Sequence, residues 1–234
     1  MKNKKFFIHI VSNFVIILVV GSILLVSISI DPTEFTSSEG YSAIYRGDPE
    51  NNNISLMINV YWGTEFVEPM LDILEEKNAT ATFFVGGTWA NSNSDILNQI
   101  YDNGHELGNH GYYHKDHTRI TRERNREEIN ITHELVKALT TVEMDLFAPP
   151  SGAFSATTLE VAEDLGYKTI MWSKDTIDWR DNDSNLVYNR ATNNPQNGDL
   201  ILMHPTEHTL NAFEDIITFY QDNSFNVTTV SNTI

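Results

Sequence analysis

The 234 residues carry 15 lysines and arginines against 32 aspartates and glutamates, a formal charge of −17, with 41% hydrophobic residues and no cysteine. A chain this acidic repels nucleic acid and anionic surfaces at long range. Without thiols it has neither disulfides nor a thiolate nucleophile or metal ligand, so stability must come from a buried core.

Lys2, Lys4 and Lys5 precede a nearly unbroken apolar run over residues 6–30, interrupted by His9, Ser12, Asn13 and a few small residues. The run is long enough to cross a bilayer as a helix, and it is apolar all round, unlike a core helix with one apolar stripe. A cleaved signal peptide is the alternative. No Ala-x-Ala-like site follows, so the favoured reading is an uncleaved single-pass anchor in the cytoplasmic membrane. The lysines then keep the N-terminus in the cytoplasm and put the body on the extracytoplasmic face, secreted if the run is cleaved. Residues 31–53, with Pro32, Gly40, Gly47 and Pro49, read as a polar stalk, and residues 54–234 as one domain. With the three leading lysines set aside, 12 of the 15 basic residues remain against 32 acidic ones, a formal −20.

The domain opens with Ile54, Leu56, Ile58 and Val60 alternating with Ser55, Met57 and Asn59, a strand ending at Trp62-Gly63. Phe66, Val67, Met70, Leu71 and Leu74 keep helical spacing over residues 64–77, with Thr64 as the expected N-cap. Residues 80–85 form a second strand. A helix marked by Ile96, Leu97, Ile100 and Tyr101 closes at Asn103-Gly104, and a short strand over 105–107 follows. Residues 121–140 read as a long surface helix and 146–148 as a strand stopped by Pro149-Pro150. Next come a helix around 159–165, a strand over 167–172, a helix over 184–192 and a strand over 200–203 ending at His204. A helix marked by Leu210, Phe213, Ile216, Ile217 and Tyr220 precedes a last strand over 226–230. About seven strands alternate with helices, and the polar residues of interest fall at strand C-terminal ends. A β/α barrel carries its site there, and an open doubly wound sheet carries one at its switch point.

His110 and His114 stand four apart, the spacing that lets two imidazoles on one helical turn face a single divalent metal. Asp175 and Asp178 lie three apart beside Trp172 and Trp179, a grouping suited to a sugar cleft and to orienting His204. His105, Asp116 and His117 are further polar residues without a spacing that fixes a role.

Five stretches carry a resemblance to a known family. They are Asn59-Val60-Tyr61-Trp62-Gly63, His110-Gly111-Tyr112-Tyr113-His114, Ala148-Pro149-Pro150-Ser151-Gly152, Asp175-Thr176-Ile177-Asp178-Trp179 and Leu202-Met203-His204. In this order, over about residues 54–232, the chain resembles the polysaccharide deacetylase family of carbohydrate esterases and is most similar to its sporulation-associated branch. The resemblance implies an irregular (β/α)7 barrel that removes acetyl groups from polysaccharide with a divalent metal, zinc first and cobalt or manganese next. It implies that His110 and His114 are metal ligands, His204 the general acid, Asp175 or Asp178 its orienting carboxylate, and Leu202 a wall of the acetyl pocket. Trp62 and Trp179 are the implied sugar platforms, and the Pro150 turn shapes the cleft.

Two stretches depart from the family. The family has two adjacent aspartates before its glycine: aligned on Gly63, Tyr61 and Trp62 stand in their places, and in the register of relatives with a one-residue longer turn Asn59 replaces a single aspartate. Both registers remove the usual carboxylates, and an amide cannot be deprotonated to act as a base. Ala148 stands where the family commonly has an arginine that pairs with the catalytic carboxylate. Glu65, also the candidate third ligand, or Asp178 would replace the missing base, or a metal-bound hydroxide would attack without a dedicated one. The expectation is a membrane-anchored deacetylase of N-acetylated wall polysaccharide such as peptidoglycan. A carbohydrate-binding protein without turnover and a structural envelope protein are the competing readings.

Overall fold

The computed structural model describes residues 40–234. Its strands, all paired in parallel, are β1 (Ala43–Ile44), β2 (Asn53–Val60), β3 (Thr82–Val85), β4 (Glu106–Asn109), β5 (Leu146–Phe147), β6 (Lys168–Ile170), β7 (Lys174–Asp175), β8 (Leu200–Met203) and β9 (Asn226–Thr228). They run in the order β1-β6-β5-β4-β3-β2-β8-β7, with β9 beside β2. β6 and β7 are two pieces of one stretch of chain. The first pairs with β5 and the second with β8, so the sheet curls round to meet itself. The result is the irregular (β/α)7 barrel expected, not an open doubly wound sheet.

Side-chain alternation along β2 explains both layers. Ile54, Leu56, Ile58 and Val60 point outward into the larger core cluster beneath the helices. Met57 points inward and joins Phe84, Leu146, Ala148, Ile170, Leu200 and Val230 in a plug that fills the barrel. Asn59 continues the inward series one step nearer the C-terminal mouth. The same alternation turns Leu202 inward from β8 while Ile201 and Met203 pack outside.

The helices are α1 (Thr64–Glu76), α2 (Gly87–Ser92), α3 (Ser94–Asp102), α4 (Arg122–Thr140), α5 (Ala156–Asp164), α6 (Ser184–Thr192), α7 (Glu207–Asp222) and α8 (Val230–Thr233). Thr121 caps α4 as a side-chain acceptor, and Ser155 with Thr158 forms a capping box on α5. Thr64 is not the N-cap of α1. Gly63 takes that place at φ 73°, and Thr64 Oγ1 instead accepts from Trp89 Nε1 at 2.9 Å. A Cβ on Gly63 would lie 1.9 Å from the Pro205 carbonyl oxygen, so the position admits only glycine. The terminal strand stops at Thr228, and Val230 begins α8.

The stalk expectation needs correcting. The second half of residues 31–53 belongs to the barrel: Ala43 and Ile44 pair with Thr169 and Ile170, and Gly47 N–H donates to Gly198 O at 2.8 Å. Arg46 pairs with the fully buried Asp199, which also accepts from Ser173 Oγ and the Gln196 amide. The composition there is polar because the segment lies across the strand ends, where backbone groups and one buried carboxylate need partners. The apolar run over residues 6–30 lies outside the described residues. Among the described residues no helix is long and apolar enough to cross a membrane.

Candidate active site

At the C-terminal mouth of the barrel a cleft of about 350 Å³ is lined by Asn59, Tyr61, Trp62, His110, His114, Ser151, Trp172, Asp175, Trp179, Leu202 and His204. All five sequence motifs reach it.

His110 and His114 meet, though not on a helical turn. The segment after β4 is a loop in which Gly111 takes φ 70° and His114 φ 52°, and these left-handed turns bring the rings together. Their centroids are 5.1 Å apart at 64°. The loop is held from behind. Asn109 Oδ1 accepts the Gly111 amide at 2.9 Å, and the buried Glu128 accepts the Tyr113 amide at 2.6 Å and Arg124 at 2.7 Å.

His110 Nδ1–H donates to the Ala148 carbonyl at 2.7 Å, which leaves Nε2 unprotonated. Burial, reinforced by the neighbouring His114 ring, drives its pKa down to about 3. Burial also lowers His114, whose ring stacks on Tyr61 at 4.6 Å. Both rings are therefore neutral at physiological pH.

Opposite them, His204 leaves the end of β8 and is tied to Asp178 twice. Its Nδ1–H donates to Oδ1 at 2.7 Å, and its backbone N–H donates to Oδ2 at 2.6 Å. Thr209 Oγ1 donates to the same Oδ2 at 2.6 Å. Burial pushes the Asp178 carboxyl up, but these donors outweigh it and hold the group below its ordinary value. Asp178 is thus the ionised partner that fixes the His204 tautomer and leaves Nε2 as the ring's second functional nitrogen. The indole of Trp62 lies flat over the ring, with centroids 5.6 Å apart and planes at 10°.

Asp175 lines the cleft beside this dyad. Its Oδ1 accepts the Ile177 amide at 2.8 Å, and burial raises its pKa, with a contribution from the Asp178 charge. Trp62 and Trp179 are 43% and 58% exposed, open faces for a ligand ring. Leu202 walls the floor.

Glu65 is not brought to this site. It lies exposed in the first turn of α1 and lines a separate shallow depression with Phe66, Glu207 and His208. Val67, Met70, Leu71 and Leu74 dock the other face of that helix on the barrel, which turns Glu65 outward. Its assignment as third ligand or base is therefore withdrawn. Asp178 as replacement base is withdrawn too, because both its oxygens are occupied and face His204. Pro150 is buried in a short 3₁₀ turn, and its neighbour Ser151 lines the cleft instead. His105 is buried against Phe83, His117 is buried on Asn125, and Asp116 lies at the surface on Thr118. Trp172 lines the cleft as its place beside the aspartates suggested, and Tyr61 and Ser151 complete the lining without standing out in the sequence, although both lie inside motif stretches.

The donor set does not fit the metal that the resemblance implies. Among the described residues no three His, Cys, Asp or Glu side chains converge as ligands. A catalytic zinc site uses three protein ligands, and here two neutral imidazoles are joined by an amide. Asn59 is 4% exposed, and among the described residues its Oδ1 has no hydrogen-bond partner. A buried acceptor left open at a cleft wall is suited to a hydroxyl or N–H of a bound sugar.

Comparison with known proteins agrees with this geometry. A family model described as polysaccharide deacetylase matches residues 46–170. The chain is 36% identical over 207 residues to the uncharacterized protein YlxY of Bacillus subtilis, covering 88% of this chain and 65% of that one. It is 29% identical to the peptidoglycan-N-acetylmuramic acid deacetylase PdaA of Bacillus subtilis, covering 77% and 70%. Among solved structures it is similar to BA3943 of Bacillus anthracis, described as a CE4 family pseudoenzyme. The TM-score there is 0.80 at 33% identity, covering 83% of this chain and 69% of that one. A BA3943 mutant described as having restored enzymatic activity matches at TM-score 0.80 and 31% identity, covering 83% and 71%. With its barrel, its five cleft stretches and these relatives in accord, the chain belongs to the polysaccharide deacetylase family.

Proposed function

We propose that this chain is a glycan-binding member of the family that holds hexosamine polysaccharide of the peptidoglycan type without hydrolysing it. One observation carries the reading: Asn59 puts an amide in the cleft that His110 and His114 line, and the one carboxylate among the described lining residues, Asp175, lies beside the His204–Asp178 dyad instead. Hydrolysis of an N-acetyl group needs a base for the attacking water as well as a proton for the leaving nitrogen. Here the proton-donor side is intact in His204 and Asp178, while the base side is empty of carboxylates. The aromatic walls and the open acceptors are what a sugar requires. The similarity to a pseudoenzyme whose mutant regained activity supports the same reading. The run over residues 6–30 would anchor the protein in the cytoplasmic membrane with the barrel outside. Protease treatment of intact cells checks this, because an exposed barrel is digested and a cytoplasmic one survives.

Tryptophan fluorescence tests binding, since Trp62, Trp172 and Trp179 line the cleft. Titration of the full chain with N-acetylated oligosaccharide should give a saturable signal, and mass spectrometry should recover the sugar with every acetyl group in place. Recovery of deacetylated sugar would overturn the proposal.

The His204–Asp178 dyad favours a second reading, slow deacetylation in which His204 protonates the leaving nitrogen. It predicts acetate release that is lost in His204→Ala.

A further inference from the structure

The charges around the cleft specify which glycan it takes, on the premise of the glycan-binding reading above. Among the described residues no lysine or arginine lines the cleft, and Asp175 is the one carboxylate. Ala148 stands where the resemblance implies an arginine, so these residues bring no lysine or arginine to an anionic group. The cation partners near Asp175 are already committed. Arg180 and Arg190 both pair with Asp181, at 2.8 and 2.6 Å, and among the described residues Asp175 forms no ion pair of its own. Asp178 cannot serve a ligand because His204 and Thr209 occupy it.

Asp175 is paired in register with Leu202 on β8, two residues before His204, so its carboxylate sits on the floor of the cleft and not at its rim. A half-buried carboxylate without a direct ion pair, felt only at longer range by Arg180, Arg190 and His204, gains from a cation that enters, and Trp62, Trp172 and Trp179 in the same cleft attract cations through their ring faces. The formal charge of −17 adds a long-range field of the same sign. An N-acetyl group is a neutral amide and uses none of this. A free hexosamine amine, whose pKa lies close to neutrality, is an ammonium in mildly acidic solution and uses all of it.

We infer that the cleft selects glycan whose hexosamines carry free amino groups, with Asp175 pairing the sugar ammonium and the three indoles facing the rings. Its ligand is then the product of an N-deacetylation, and a reaction of that class must supply it.

The test compares three probes by calorimetry on the full chain in mildly acidic buffer: a glucosamine tetramer, an N-acetylglucosamine tetramer and tetralysine. The glucosamine tetramer should bind about tenfold more tightly than the acetylated one, from an ion pair plus cation–π attraction. That ratio should shrink as salt is raised. It should collapse toward one in Asp175→Asn and persist in Asp175→Glu, which keeps the charge. Tetralysine should bind far more weakly than the glucosamine tetramer, because it lacks rings to stack. Equal or tighter binding of the acetylated tetramer would overturn this inference while leaving glycan binding intact. Tetralysine binding equal to that of the glucosamine tetramer would overturn it in favour of a peptide ligand. No binding of either sugar would overturn both this inference and the glycan-binding reading.

Discussion

At the residue scale, the site is defined by one missing oxygen charge. His110, His114 and His204 gather at one cleft, Asp178 holds His204 from behind, and Asn59 brings an amide to the same cleft. These residues were legible because each sits in a short motif of unusual composition. Glu65 was misread because closeness in sequence to Gly63 says nothing about which face of α1 it occupies. The histidines also make a stability prediction. Burial drives the pKa of His105 from 6.5 to about 4, and among the described residues its Nδ1 has no hydrogen-bond partner. The unfolded chain therefore takes up this proton first as pH falls. Stability is fully retained above pH 6.5 and is lost progressively toward pH 4, by about 3 kcal/mol from this ring alone. Urea unfolding across that range should show the decline, and a pH-independent midpoint would contradict it.

At the scale of the element, β2 was readable because its period of two is uninterrupted, and α7 because its apolar stripe is long. The loop after β4 was not, since the four-residue spacing of its histidines mimics a helix while Gly111 and His114 bend the chain left-handed. The short α2 was missed for lack of a full amphipathic turn. Two substitutions test the packing. Phe84→Ala empties the centre of the barrel plug and should cost about 3–5 kcal/mol in urea unfolding. Gly63→Ala should cost about 2 kcal/mol or more, because a side chain there meets both an unfavourable φ and the Pro205 carbonyl. A neutral result for either would contradict the packing described.

At the scale of the whole molecule, the domain boundary was the part hidden from the sequence. A strand as short as β1 has no periodicity. It is fixed by partners more than a hundred residues away in β6 and by the buried charge of Asp199. The segment before β2 is thus a strap that closes the barrel. Arg46→Ala should lower stability by about 2–4 kcal/mol, somewhat tempered by Lys174, which lies 3.5 Å from the same carboxylate. Thermal unfolding of that variant reads the effect, and an unchanged midpoint would place the domain boundary at residue 54 after all.

The loss of the carboxylate at Asn59 is the claim on which the functional account rests, and acetate release measures it directly. The full chain and its Asn59→Asp variant are incubated side by side with an N-acetylglucosamine oligomer and zinc, cobalt or manganese. The account predicts no acetate above background from the parent chain and metal-dependent release from the variant. Release from the parent as fast as from Asn59→Asp, abolished by a chelator in both, would contradict it.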